Sequence, residues 1–155
     1  MNWRKISNFI RVRRSDVYGN TPFLIAVETG NYPMAKELID RGACVNISDK
    51  YGRPPILIAA EIGNRELLRL LIERGSNVNS ADSKGKTCLE YAIMLGMPDI
   101  CLLLIEYGAD VLARRHGATT LLYKAKKKGL DEVVKKIREK GGCMYAYQQD
   151  AYPVN

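Results

Sequence analysis

Apolar residues recur along the chain in two short blocks separated by glycine, and this arrangement returns every 33 residues. In residues 49–81 the first block covers positions 56–60, and the second contains Leu67, Leu68, Leu70 and Leu71. Apolar residues at three- and four-residue spacing are typical of a helix that buries one face. A glycine follows each block, and glycine ends helices readily. The pattern therefore predicts two short helices in each unit.

The unit repeats in register and without gaps. Residues 49–81 align with residues 16–48 and 82–114, and residues 115–147 align more weakly. A fixed period of this size is the signature of a stacked repeat, so we predict an all-α solenoid of helix-turn-helix units. The positions that agree include Asp16, Asp49 and Asp82; Gly30, Gly63, Gly96 and Gly129; and Gly42, Gly75, Gly108 and Gly141.

Short motifs within the units resemble those of the ankyrin repeat family. Residues 21–23 read Thr-Pro-Phe, and residues 42–46 read Gly-Ala-Cys-Val-Asn, close to the family's Thr-Pro-Leu and Gly-Ala-x-Val-Asn. The resemblance covers residues 16–147 and implies an ankyrin-repeat solenoid with hairpin fingers between the helix pairs. It also implies a protein-binding scaffold whose partners vary from one member to the next.

The register divides the chain into six segments. Residues 1–15 are predicted to form a basic N-terminal capping helix, residues 16–48, 49–81 and 82–114 three repeats, residues 115–147 a divergent C-terminal capping repeat, and residues 148–155 a tail. Lys126, Lys136 and Arg138 replace apolar residues of the earlier repeats at positions that would face a further repeat. Polar residues on an outer face are what a terminal repeat requires, and most of the lysines at 124–136 are explained in this way.

Composition favours a folded, intracellular protein. Hydrophobic residues make up 46% of the chain, and no apolar run reaches membrane-spanning length. Phe9 and Ile10 are too short an apolar stretch for a signal peptide, so we expect a cytoplasmic or nuclear location and no membrane association. The four cysteines include no Cys-x-x-Cys pair, and we expect them to be buried free thiols.

The basic charge has a structural explanation and a functional one. The net charge is +7; residues 1–15 contain five basic and no acidic side chains, and residues 115–155 contain nine basic and four acidic ones. Solvation of the two end faces accounts for this distribution. The alternative is that the basic ends bind nucleic acid or another anionic surface.

Catalytic chemistry finds little support. His116 is the single histidine, and no Cys or acidic pair lies near it in the sequence. Gly85-Lys86-Thr87 imitates the end of a phosphate-binding loop, but Ser80 stands where that loop needs glycine. We expect no enzyme activity, no metal and no cofactor.

The resemblance implies that partners bind to the fingers and the concave inner helices. Tyr18 and Tyr51 occupy equivalent finger positions and should lie side by side with Arg53, and Tyr and Arg are enriched at binding hot spots. An apolar strip should continue along the inner helices, unless these side chains pack on their neighbours. The candidate partner-binding residues are Tyr18, Asn20, Lys50, Tyr51, Arg53, Ile62, Lys84, Lys86, Met94, Leu95, Arg115 and His116.

The expected function is that of a monomeric protein-binding module acting as an adaptor or inhibitor. The ankyrin-type inhibitors of cyclin-dependent kinases have a shortened first helix in the second repeat, whereas residues 54–62 are of full length. The chain shows no acidic, Pro/Ser-rich tail of the kind found in cellular inhibitors of Rel-family transcription factors. A virus- or pathogen-encoded binder of a host protein is a further alternative.

Overall fold

The computed structural model describes residues 21–112 and 120–142, which form four pairs of short helices. Within these residues the only strand-like pairing is an isolated antiparallel bridge between Ala81 and Thr87, so the all-α prediction is confirmed. The helices are α1 Pro22–Glu28, α2 Tyr32–Asp40, α3 Pro55–Glu61, α4 Arg65–Glu73, α5 Cys88–Leu95, α6 Pro98–Glu106, α7 Leu121–Lys127 and α8 Asp131–Ile137; a turn, Arg138–Gly142, follows α8.

The first helix of three of the four described pairs begins directly after a threonine. The hydroxyl oxygens of Thr21, Thr87 and Thr120 each accept a hydrogen bond of 3.2–3.3 Å from a backbone amide in the first turn. This bond satisfies an amide that has no partner within the helix. Pro54 occupies the same position before α3 and has no side chain that can form the bond. The second pair therefore lacks this N-terminal cap.

Glycines end the helices as expected, and Gly63 shows why no larger residue fits. It follows α3 with φ +71°, a left-handed conformation that costs glycine little. A Cβ atom at this position would lie 3.1 Å from Sδ of Met97 in the next pair. A side chain here would therefore strain the backbone and would also displace the Met97 side chain by a few tenths of an ångström.

The helices form two layers with the core between them. The first helices α1, α3, α5 and α7 pack side by side in one layer, and the second helices α2, α4, α6 and α8 pack in the other. Ala59, Ala92 and Ala125 are fully buried in the first layer, where their small side chains let neighbouring helices approach closely. Larger side chains such as Leu68 and Leu104 fill the space between the layers.

Polar side chains in the loops connect neighbouring pairs. Asn64 Nδ2 donates a hydrogen bond of 3.2 Å to the carbonyl oxygen of Gly30, one pair earlier in the chain. Asn79 Oδ1 accepts a bond of 2.8 Å from the backbone amide of Asp110, one pair later. These bonds satisfy loop groups that the helices leave unpaired, and they fix the spacing of the stack.

The end segments are only partly described. Residues 1–15, the predicted first finger, residues 113–119 and residues 143–155 lie outside the described residues, so the division into repeats and caps stays a prediction. In the fourth pair, Lys126 and Arg138 are exposed and Lys136 is half-buried.

The cysteines follow the prediction at two described positions and not at the third. Cys88 and Cys101 are buried free thiols. Cys44 is also free, but it is exposed. It lies in the loop after α2, at the position that Asn77 and Asp110 occupy in the next two units, and both of those residues are exposed. The prediction of a buried Cys44 was therefore wrong, because this loop position faces solvent in every unit described.

Candidate functional site

Asp49 closes the second finger, which comprises residues 49–53. Its Oδ1 atom accepts hydrogen bonds of 2.8 Å from the backbone amides of Tyr51 and Arg53. The amide of Gly52, at φ +72°, donates to the carbonyl oxygen of Asp49 at 3.0 Å. The Asp49 side chain is 1% exposed, so the turn is built around a buried carboxylate whose bonds are satisfied within the finger.

Arg53 joins this finger to the first-helix layer. Its Nε atom donates to Asp49 Oδ2 at 2.8 Å, and its Nη1 atom donates to Glu61 Oε2 at 2.7 Å. Nη2 reaches Glu28 Oε1, at the end of α1, at 3.5 Å. Burial alone would lower the pKa of Arg53, but the hydrogen bonds and charges of Asp49 and Glu61 outweigh it, and the pKa is raised. Arg53 is therefore an internal bridge between two helix pairs.

The third finger, residues 82–86, has the same turn with a different second partner. Asp82 Oδ1 accepts hydrogen bonds from the backbone amides of Lys84 at 2.9 Å and Lys86 at 2.8 Å. Asp82 Oδ2 accepts a bond of 2.9 Å from the hydroxyl group of Tyr91 in α5. The Lys86 ammonium group lies 5.5 Å from the centre of the Tyr91 ring. The finger is thus held over α5 by one hydroxyl group and one cation–π contact.

Burial and hydrogen bonding shift the pKa values of both Asp82 and Tyr91. Burial would raise the pKa of Asp82, but hydrogen bonds from the amides of Lys86 and Lys84 and from the Tyr91 hydroxyl outweigh it, so this pKa lies below 3.8. Burial and the hydrogen bond to Asp82 raise the pKa of Tyr91 to about 12. At neutral pH the pair is therefore a carboxylate bound by a neutral phenol.

A groove of about 590 Å³ separates the two fingers. The Ser83 hydroxyl donates a hydrogen bond of 3.1 Å to the carbonyl oxygen of Tyr51, and a Cβ atom at Gly52 would lie 3.2 Å from Cβ of Ser83. Tyr51 is 60% exposed, and Lys50 Nζ and Arg53 Cζ lie 5.0 Å and 5.4 Å from the centre of its ring. The lining residues are Lys50, Tyr51, Gly52, Arg53, Asp82, Ser83, Lys84 and Tyr91.

The structure brings some of the predicted site residues together. Lys50, Tyr51, Arg53 and Lys84 line the groove, and Lys86 contacts its wall through Tyr91. The groove does not include the three apolar candidates Ile62, Met94 and Leu95, which are 42%, 39% and 50% exposed at the ends of α3 and α5. Tyr18, Asn20, Arg115 and His116 lie outside the described residues, so the pairing of Tyr18 with Tyr51 stays a prediction.

The fingers and the apolar candidates belong to one surface. Met94 holds the position in α5 that Glu28 and Glu61 hold in α1 and α3, and both glutamates contact Arg53 of the second finger. We use the name finger face for the surface formed by the second and third fingers and the exposed or partly exposed residues of the first helices beside them: Glu28, Glu61, Ile62, Tyr91, Met94 and Leu95.

Sequence reasoning missed a buried ion pair beside this surface. Glu90 in α5 is 7% exposed, although its counterparts Leu24 and Leu57 are apolar. Lys124 Nζ from α7 donates to Glu90 Oε1 at 2.5 Å. Lys124 is therefore not among the lysines that solvation of an end face explains, since its charge compensates a buried carboxylate. The sequence did contain a signal for this pair. Glu90 stands where the second unit has Leu57, and Lys124, 34 residues later, stands where that unit has Ile58.

The arrangement offers binding chemistry. Within residues 21–112 and 120–142, no group of three or more His, Cys, Asp or Glu side chains is placed to hold a metal ion. No helix in the described part of the chain is both long and apolar enough to cross a membrane. What the finger face presents is an exposed aromatic ring, exposed aliphatic side chains and paired charges.

A family model described as ankyrin repeats, in three copies, matches residues 25–115. No curated protein sequence matches the chain. The match covers more than half of the chain and includes the second and third helix pairs, most of the first, and the two described fingers. The chain therefore belongs to the ankyrin repeat family, as its motifs predict. Ankyrin repeats are generally protein–protein interaction modules, and domains built from them are typically non-enzymatic.

Proposed function

We propose that this chain binds a partner protein on its finger face and acts as an adaptor or inhibitor by occupying the partner's surface. The observation that carries the proposal is that four of the nine exposed large apolar side chains in the described residues lie on this face. Tyr51, Ile62, Met94 and Leu95 are between 39% and 60% exposed, and solvent-exposed apolar surface framed by polar groups is characteristic of interaction sites.

The rigidity of the fingers supports the same function. Asp49 and Asp82 fix the two turns by hydrogen bonds to their own backbones, and Ser83 links one finger to the other. A surface that is ordered before binding loses less conformational freedom when a partner arrives. Free Cys88 and Cys101 also suit a reducing compartment, and we therefore propose an intracellular site of action.

The nucleic-acid alternative has less support from the described residues. Lys124 is held by Glu90, and Lys126 and Lys127 lie in the last turn of α7, where cations stabilise the helix dipole. On the finger face, Arg53 is surrounded by three carboxylates. The basic charge of these regions thus has structural uses.

A photo-crosslinking amino acid at single positions tests the proposal directly. We would place it at Tyr51 and at Leu95 on the finger face, and at Arg69, an exposed residue of α4 in the second-helix layer, as the matched control. Irradiation in cells should give protein adducts at the first two positions and not at Arg69. Arg53 is unsuitable as a probe because its replacement would break the bridge to Glu61 and Asp49.

The identity of the adducts decides the outcome. Protein adducts that are equally abundant at Arg69, or nucleic-acid adducts at Tyr51, would contradict the proposal. A second version of the test places the crosslinker at a neighbouring position and substitutes Tyr51 or Leu95 itself. Unchanged adducts from Tyr51→Phe and Leu95→Met, and reduced yields from Tyr51→Ala and Leu95→Ala, would support a contact through these two side chains.

A further inference from the structure

The groove between the second and third fingers has a chemistry more specific than that of the whole face. Three of its lining residues, Lys50, Arg53 and Lys84, are cationic, and one, Asp82, is anionic. Lys86 adds a fourth cation next to the groove, against the Tyr91 ring. An exposed tyrosine ring lies among these charges, with cationic groups of Lys50 and Arg53 within 5.4 Å of its centre. The groove therefore combines positive charge with an accessible apolar surface.

The acidic groups near the groove are already bound within the protein. Asp82 receives three hydrogen bonds, from the amides of Lys84 and Lys86 and from the Tyr91 hydroxyl. Asp49 receives two from backbone amides and one from Arg53. Lys84, by contrast, is exposed and forms no ion pair within the described part of the chain. The groove can thus offer the ammonium group of Lys84 to a ligand without first breaking an ion pair of that residue within the described part of the chain.

From this we propose that the groove binds an acidic segment of the partner protein, with carboxylates at Lys50, Lys84 and Lys86 and an apolar side chain on Tyr51. The inference rests on the proposed protein-binding function and adds the chemistry of the partner. Complementary charge raises association rates and selects among partners. Tyr51 supplies the desolvated contact that charge alone does not give.

The shape of the positive patch favours a short protein segment over nucleic acid. A nucleic-acid strand needs a continuous cationic path for its phosphates. Arg53, however, forms the side of the groove nearest the first helices, and it is bound there by the carboxylates of Glu61 and Glu28. A phosphate chain leaving the groove in that direction would meet these two acids. An acidic peptide needs only the few lysines at the fingers.

Nuclear magnetic resonance titration of the full chain tests the inference with a defined probe. The probe is a short peptide with glutamates on both sides of one tryptophan, and the matched control peptide carries glutamine at every glutamate position. We expect the glutamate peptide to shift the amide signals of residues 49–53 and 82–86, and the glutamine peptide to bind at least about tenfold more weakly. Signals that shift mainly in α7 and α8 would overturn the inference.

Charge reversal at the groove distinguishes the effect of the groove lysines on peptide binding from the effect of the protein's net charge. Lys50→Glu with Lys84→Glu should weaken binding of the glutamate peptide by about tenfold or more. The control, Lys36→Glu with Lys135→Glu, changes the net charge equally at exposed positions of α2 and α8 and should weaken it by less than about twofold. Equal losses in the two double variants would show that net charge alone matters, and the inference would fail.

Two further outcomes are decisive. An oligothymidylate that binds wild-type protein more tightly than the glutamate peptide, and loses affinity with Lys50→Glu and Lys84→Glu, would replace the protein segment with nucleic acid. Protein adducts at Tyr51 and Leu95 that persist undiminished in this double variant would overturn the acidic-segment inference and leave the proposed function standing. If the double variant loses both those adducts and its binding of the glutamate peptide, the result supports the proposed function and the acidic-segment inference.

Discussion

The second and third fingers share one turn and differ in what holds it to the helices. In both, the aspartate Oδ1 atom accepts hydrogen bonds from two backbone amides of its own finger. The Oδ2 atom accepts from the Arg53 guanidinium in the second finger and from the Tyr91 phenol in the third. The turn thus fixes the aspartate, whereas the partner of the second oxygen sets the charge that each finger displays.

The two units also use charge differently at their boundaries with neighbouring pairs. Arg53 reaches Glu28 of the first pair across 3.5 Å, between side chains that are 24% and 37% exposed. Glu90 of the third pair binds Lys124 of the fourth across 2.5 Å, with the glutamate side chain 9% exposed. Charge pairs in water contribute little to stability, whereas breaking a buried one is costly. The same kind of contact should therefore matter much more between the third and fourth pairs.

The largest expected effect comes from removing the second-finger aspartate. Asp49→Ala eliminates three hydrogen bonds and leaves Arg53 without its most buried partner, so we expect a loss of about 2–4 kcal/mol in the free energy of unfolding. Asp82→Ala, its counterpart in the third finger, should cost about 1–2 kcal/mol because Asp82 is less buried and leaves a neutral phenol behind. Urea denaturation of both variants measures the difference.

Acid titration sharpens this comparison. The pKa of Asp82 is lowered below 3.8, so its stabilising contribution is present above that pH and is lost as the pH falls through the lowered value. The stability difference between wild type and Asp82→Ala should therefore shrink only at strongly acidic pH. If Asp49→Ala and Asp82→Ala lower the free energy of unfolding equally at neutral pH, the partner of the Oδ2 atom, Arg53 or Tyr91, does not affect stability.

Next in size is the buried ion pair between the third and fourth pairs. Glu90→Ala should cost about 1–3 kcal/mol, because it leaves Lys124 partly buried without its carboxylate. Glu90→Leu with Lys124→Ile restores the residue types found in the second pair and should lie within about 1 kcal/mol of wild type. A double variant as unstable as Glu90→Ala would mean that the pair is indispensable to the boundary.

A smaller effect is expected from the hydroxyl group that holds the third finger. Tyr91→Phe should cost about 1 kcal/mol at pH 8. Because the pKa of folded Tyr91 is raised from 10.0 to about 12, this contribution is complete below pH 10 and is lost as the pH rises from 10 towards 12. Unfolding curves of wild type and variant should converge over that interval. A constant difference would exclude the Asp82 bond as its source.

The smallest effect concerns the partly exposed ion pairs of Arg53 with Glu61 and Glu28. Glu61→Gln should cost about 0.5 kcal/mol, and Glu28→Gln less than about 0.3 kcal/mol because its contact is longer and in water. Added salt should reduce both costs. A loss above 1 kcal/mol for Glu28→Gln would show that the first and second pairs depend on this charge as strongly as the third and fourth depend on Glu90.

The sequence was sufficient for the features that arise within a few residues. Threonine before proline is typical of a helix start, and in the structure Thr21 accepts the capping bond of α1. Glycine at the end of an apolar block predicts the helix end at Gly63. Both depend on local backbone geometry, which the sequence determines directly. Repetition in register then extends the prediction to the whole stack.

The site was harder to predict because its contacts span the stack. Asp49 and Arg53 are close in sequence, but Glu28 lies 25 residues from Arg53 and meets it only when two pairs are stacked. Exposure of Tyr51 follows from its finger position, whereas the use of Arg53 as an internal bridge does not. Glu90 was overlooked because it occupies a position that suits leucine, and its partner belongs to the next pair.

The buried thiols give this stack a chemical reporter of local opening. Cys88 and Cys101 both belong to the third pair, and burial raises the pKa of each from 9.0 to about 12. In the folded protein they should hold about a thousandfold less thiolate than an ordinary cysteine at the same pH. Exposed Cys44 should react at once with an alkylating reagent. The delay before Cys88 and Cys101 react therefore measures how long a single unit takes to open within an otherwise intact array.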